Sequence, residues 1–200
     1  MLSYSKSRFT GKIFLVAFFM TFITIQLFAQ DISLTRQGNN DLNRFYVDLV
    51  AKTATLNGGW GLFGGMSTGY NINNNVSIGF TGYGLIPDKL GGSYINQEGE
   101  DELHFGYGGA KAEYKFDLSE RLYLTGMLMI GAGRVDYEDL GGYDYFFITE
   151  PGASVNYRVT NWFGLGLAGS YRFASGVNYA DFSDASFSGW STSLDFKFGF

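Results

Sequence analysis

The residues able to do chemistry in this chain are few, and their spacing says more than their number. Lys111, Glu113 and Lys115 recur at every second position, as do Asp195 and Lys197. Glu150, Arg158 and Arg172 fall in the same kind of alternating segment, and so do Asp48 and Lys52. A spacing of two puts side chains on one face of a strand, so each set shares a surface. Both signs are present on that surface. Opposite charges held side by side can neutralise one another where water is scarce, which predicts a paired structural network rather than a reaction centre.

The other candidates are weaker. His104 is the only histidine. With Asp101 and Glu102 nearby it could act as the base of a hydrolase. That chemistry also needs a nucleophile and an orienting group at supported geometry. A single histidine at the entrance of a strand reads instead as a rim residue. Gly164-Leu165-Gly166-Leu167-Ala168-Gly169 spells GxGxxG. A dinucleotide site needs that motif between a strand and a helix, whereas here it lies inside an alternating run. Asp88, Glu98, Glu100, Asp101 and Glu102 form one acidic stretch, and Asp136, Glu138, Asp139 and Asp144 another. Neither has the ligand spacing of an EF-hand, and both read as solvated loops. The absence of Cys removes a disulfide framework and a thiolate zinc site. No catalytic residue, cofactor or metal site is expected.

Charge and composition narrow the class. The 14 Lys+Arg against 19 Asp+Glu give −5, with no basic cluster beyond the first twelve residues, so a nucleic-acid partner is not expected. Aromatics make up 18% and charged residues only 16%, the reverse of a disordered chain.

Residues 1–30 have the order of a secretion signal. Lys6, Arg8 and Lys12 precede an apolar run from Ile13 to Phe28, and small Ala29 then leads into Gln30 and Asp31. Cleavage is placed after Ala29 or Gln30, and its consequence is export by the Sec route. The apolar run is shorter than the ~20 residues of a spanning helix. Removing the leader takes away three positive charges and no negative one, so the exported chain is more acidic. Residues 31–42 are then a short periplasmic segment, and residues 43–200 the folded body.

In that body the period is two almost throughout. Trp190, Thr192, Leu194, Phe196, Phe198 and Phe200 alternate with Ser191, Ser193, Asp195, Lys197 and Gly199. Equivalent runs cover residues 45–54, 60–72, 76–86, 103–116, 122–132, 145–157 and 163–173, giving eight strands and no helix. Pro151 lies inside one of them. Because Pro cannot donate a ladder bond, a bulge is expected there, with Glu150 pointing inward. Short turns (Asn73–Asn75, Asp117–Glu120, Thr160–Asn161) alternate with long connections (Pro87–Glu102, Asp136–Asp144, Gly176–Ser186). The tight Asn57-Gly58-Gly59 turn is the exception. All long connections then lie at one end, the layout of an up-and-down barrel.

The two faces differ in a way that fixes which kind. One carries mixed charges among Gly, Ser, Thr, Tyr and Asn, too few for a water-facing surface. The other is apolar, with aromatics near the strand ends at Trp60, Tyr70, Phe116, Trp162, Phe163, Phe173, Trp190 and Phe200. An outward apolar band between aromatic girdles, around a polar interior, is the pattern of a membrane barrel. The fold class is therefore all-β: an eight-stranded antiparallel up-and-down transmembrane β-barrel preceded by a helical signal peptide. A barrel of eight strands has room for its own side chains or one small ligand, so a narrow channel or small-ligand transport barrel is the alternative function.

The residues now carry a resemblance. Leu194, Phe196, Phe198 and terminal Phe200 resemble the C-terminal signature read by the outer-membrane barrel assembly machinery. The chain from about residue 43 to 200 resembles the small eight-stranded outer-membrane barrels of the OmpX and OmpA-transmembrane class. More narrowly, it is similar to the outer-membrane β-barrel proteins of Bacteroidetes. The segments concerned are Phe28-Ala29-Gln30, Ile78–Leu85, Phe105–Tyr114, Phe146–Val155 and Ser170–Gly176. The resemblance implies the cell outer membrane of a Gram-negative envelope, lipids and the assembly machinery as partners, and a monomer. It implies a structural or surface-interaction role without enzymatic activity. An envelope hydrolase using His104 is the more distant alternative.

Overall fold

The computed structural model describes residues 44–86, 103–137, 142–179 and 182–199. The predicted signal peptide, the segment 31–42, most of the first two long connections and Phe200 lie outside them.

Eight strands form a closed barrel in chain order: β1 (Phe45–Leu56), β2 (Gly59–Asn71), β3 (Val76–Leu85), β4 (Leu103–Asp117), β5 (Leu122–Tyr137), β6 (Tyr143–Arg158), β7 (Phe163–Ser175) and β8 (Gly189–Phe198). Every pairing is antiparallel, and β1 closes the barrel against β8 with Asp48 opposite Lys197 and Val50 opposite Asp195. Closure leaves no free sheet edge, which is what allows a sheet to stand in hydrocarbon. The expected strands all appear. The Asn57-Gly58 turn adopts positive φ at both residues (46° and 82°), as a two-residue hairpin requires.

Two expectations need correction. Pro151 causes no bulge. Its pairing with Leu128 of β5 is in regular register, and the β6–β7 pairing keeps one register on both sides of it, from Thr149–Phe173 to Gly152–Ser170. The missing N–H interrupts the ladder toward β7 without adding a residue. The body also contains a helix. A single turn, α1 (Asp184–Phe187), lies in the connection between β7 and β8. A four-residue turn is too short to show a helical period.

The β4–β5 contact is unusually close at one point. Gly109 and Gly131 are cross-strand partners, and a Cβ on either would run into backbone: Ile130 carbonyl for Gly109, Gly108 carbonyl for Gly131. Only glycine lets the two backbones approach this closely there.

Burial is inverted relative to a water-soluble barrel. Phe80, Trp190 and Leu167 are 60–70% exposed on the outer wall, while Lys52, Asp48 and Arg172 inside are at most 3% exposed. Of the described strand residues, only Arg134 and Asp136 are formally charged and face outward; both lie at the long-connection end of β5. The sequence-level assignment of faces holds for each strand.

Candidate functional site: the barrel lumen

The lumen divides into two halves. The half nearer the long connections is apolar. Phe63, Phe105, Phe146, Ile148, Val135 and Leu56 point inward, and Phe187 of α1 drops in from above. Phe187 stands 5.0 Å from Phe105 and 4.9 Å from Phe146, ring centre to ring centre. Sequence reading gave the interior as polar throughout and missed this plug. The signal was present: Phe146 and Ile148 share the phase of Glu150, so they had to face the same way.

α1 is seated by hydrogen bonds to the barrel rim. Ser186 carbonyl accepts from Asn57 N–H (2.7 Å), Asp184 carboxylate accepts from Val177 N–H (2.8 Å), and Ser188 hydroxyl accepts from Ala174 N–H (3.0 Å). Beneath it lies Arg172, which was predicted to join a charge network. Among the described residues no carboxylate pairs with it. Its Nε donates to Phe187 carbonyl (2.5 Å) and its Nη2 to Thr55 carbonyl (2.9 Å). The guanidinium lies 5.0–5.6 Å from the rings of Tyr107, Phe105 and Phe63. Main-chain oxygens and π-faces replace a counter-ion here.

Below that layer the lumen is polar. Lys52 of β1 pairs with Glu150 of β6, and both are buried. Glu150 also accepts from Ser170 hydroxyl, whose oxygen lies 2.6 Å from that of Ser191. The Lys52 ammonium rests 4.2 Å from the Tyr83 ring centre. Further down, two lysines and two carboxylates interlock: Lys111 reaches Asp48 (3.4 Å) and Glu113 (3.2 Å), and Lys197 reaches Asp48 (3.6 Å) and Glu113 (3.9 Å). Asp195 accepts from Ser193 hydroxyl (2.8 Å). At the short-turn mouth, Lys115 (3.8 Å) and Arg158 (2.9 Å) share the carboxylate of Asp117.

The eight predicted interior residues are thus all inside, but they fall into separate groups rather than one network. Asp48 and Lys52, read on the same charged face, complete these groups, and Asp117, read only as part of a short turn, is the partner that sequence reasoning missed. His104 faces outward at the long-connection end of β4, opposite Asp136 in register, away from the lumen. The GxGxxG residues lie inside β7, with Gly164 and Gly166 inward and Gly169 outward, so no phosphate-binding turn forms. Leu194, Phe196 and Phe198 form the outward column of β8. The girdle residues Trp60, Phe173 and Trp190 are exposed near the long-connection end, and Phe116 and Trp162 near the other.

Solved structures share this architecture, two of them along most of this chain. One is the N-terminal β-barrel domain of Pseudomonas aeruginosa OprF, with a TM-score of 0.56 at 13% identity, covering 80% of this chain and 98% of that one. The other is Neisserial surface protein A, with a TM-score of 0.56 at 21% identity, covering 78% and 97%. No protein-family model and no curated protein matches the sequence. The narrower likeness to Bacteroidetes barrels rests on the sequence segments alone. What the chain shares with its structural neighbours is the fold, that of the small eight-stranded outer-membrane barrels.

Proposed function

We propose that this chain is an integral outer-membrane barrel with a structural or surface-interaction role and no enzymatic activity. The observation that carries the reading is the reversed polarity of the wall. Exposing Phe80, Leu167 and Trp190 to water while burying Lys52, Lys111 and Lys197 would be costly in an aqueous compartment, and is the favourable arrangement in a bilayer. The chain is exported by the Sec route and delivered as a monomer to the barrel assembly machinery through the Leu194, Phe196, Phe198 and Phe200 column. Its short-turn end then faces the periplasm and its acidic connections face outward.

The filled lumen favours this role over transport. The plug of Phe187, Phe105 and Phe146 sits above the buried Lys52–Glu150 pair, so an apolar layer and an ion pair follow one another along the lumen. The outward position of His104 gives a hydrolase no enclosed site in which to assemble a nucleophile and base.

Cell fractionation with protease shaving tests the reading. Recovery in the outer-membrane fraction, with cleavage confined to the acidic connections, is the expected result. Recovery in the soluble periplasmic fraction would overturn it. Gel migration with and without boiling gives a second check, since a closed membrane barrel runs differently in the two states.

A further inference from the structure

Above the short turns the lumen is not filled. A cavity of about 70 Å³ opens there, lined by the Asn71 and Asn73–Asn75 turn, Tyr46, Ser77, Tyr123 and the charged groups of the mouth. A volume of this size holds several waters or one small oxyanion.

The lining is cationic where it is accessible. Deeper in, Asp48 and Glu113 are each held by both Lys111 and Lys197, so their charge is met within that cluster. At the mouth, Lys115 and Arg158 are about one-quarter exposed and have Asp117 as their shared carboxylate. Both cations lie against one ring, Lys115 at 5.5 Å and Arg158 at 4.8 Å from the centre of Tyr123. Arg158 is further fixed by donating to Glu120 carbonyl (2.8 Å). Lys115 stands 3.8 Å from Asp117, beyond a close hydrogen bond, so its ammonium has donors to spare. The Tyr46 hydroxyl is buried on the cavity wall beside the Glu113 carboxylate. The turn is held rigid, since Asn73 Oδ1 accepts from the N–H groups of Asn75 (2.9 Å) and Val76 (2.8 Å), and Asn75 Nδ2 donates to Lys115 carbonyl (2.9 Å).

We propose that this mouth is a binding site for one small oxyanion of phosphoryl or carboxyl type, entering from the short-turn end and held between Lys115 and Arg158. The site deepens the barrel reading, resting on the closed lumen and not on the surface role. The ion is either free or carried on a larger molecule.

The protein is refolded in an uncharged maltoside detergent and titrated with inorganic phosphate against chloride at constant ionic strength. Amide resonances of residues 73–75, 115 and 158 are followed. One saturable site per barrel at those amides is expected. Lys115→Gln and Arg158→Gln should each weaken binding roughly tenfold, the size of one charge-assisted hydrogen bond. Arg121→Gln, an exposed cation outside the cavity lining, should leave it unchanged. Glycerol 1-phosphate that binds as well as the free ion identifies a carried group, and binding of inorganic phosphate alone identifies a free one. Absence of a saturable shift in the wild type, or equal binding by the Arg158→Gln barrel, would overturn the proposal and leave a water-filled vestibule. Heat-dependent gel migration of each variant reports separately on whether the barrel itself has formed.

Discussion

Lys52 and Glu150, 98 residues apart in sequence, meet as a buried ion pair across the middle of the lumen. Neither has another charged side chain within ion-pairing distance among the described residues, so each is the other's counter-charge. Glu150→Ala would strand a buried ammonium, at a cost of about 3–5 kcal/mol. Replacing both, as in the Lys52→Met, Glu150→Leu double variant, should recover most of that loss. Urea unfolding in lipid vesicles, run as a double-mutant cycle, measures the difference. Equal destabilisation by the single and double variants would show that the pair is not the feature that matters.

Phe187 closes the apolar half of the lumen, while Arg172 grips its carbonyl. Phe187→Ala should destabilise the barrel by about 3 kcal/mol through lost packing and the void left behind. Planar-bilayer recording should show no conductance steps for the wild type. It should show none for Phe187→Ala either, because the Lys52–Glu150 layer lies beneath. Steps in the wild type that vanish when Arg172 or Glu150 is neutralised would promote the transport alternative.

Leu167 stands on the outer wall beside Leu194 of β8. If that wall faces hydrocarbon, Leu167→Arg should cost up to about 2–4 kcal/mol and lower the yield of folded barrel in vesicles. In a water-soluble barrel the same change would be neutral or helpful. The boiled-against-unboiled gel shift after refolding gives the folded fraction directly.

Gly131 and Gly109 approach each other too closely for a side chain. Gly131→Ala should therefore be more damaging than an alanine at Gly126, which faces open space on the same strand. The expected difference is at least about 1 kcal/mol, since overpacking against backbone has no rotamer by which to escape. Parallel unfolding curves of the two variants decide it.

His104→Ala should leave any lipid or peptide hydrolysis by the purified protein unchanged. A loss of turnover that tracks this one substitution would revive the hydrolase alternative.

The alternating pattern by itself determined the strands and their faces. With a period of two, a charge at Lys111, Glu113 or Lys197 commits every second neighbour to the same side, so eight short segments specified an inside and an outside before any pairing was known. The thinness of the charged face, and the aromatics at the strand ends, said which side meets lipid. Tertiary structure alone decided who touches whom. Lys52 finds Glu150 and Lys197 finds Asp48 only after the sheet closes with a particular stagger, and no local spacing encodes that register. The same holds for Pro151, where continuous pairing with β5 absorbs a missing donor that sequence logic would turn into a bulge. It holds also for Phe187, whose single helical turn is too short to have a period and whose place in the lumen is set by rings on β2, β4 and β6 that come together only in the closed barrel.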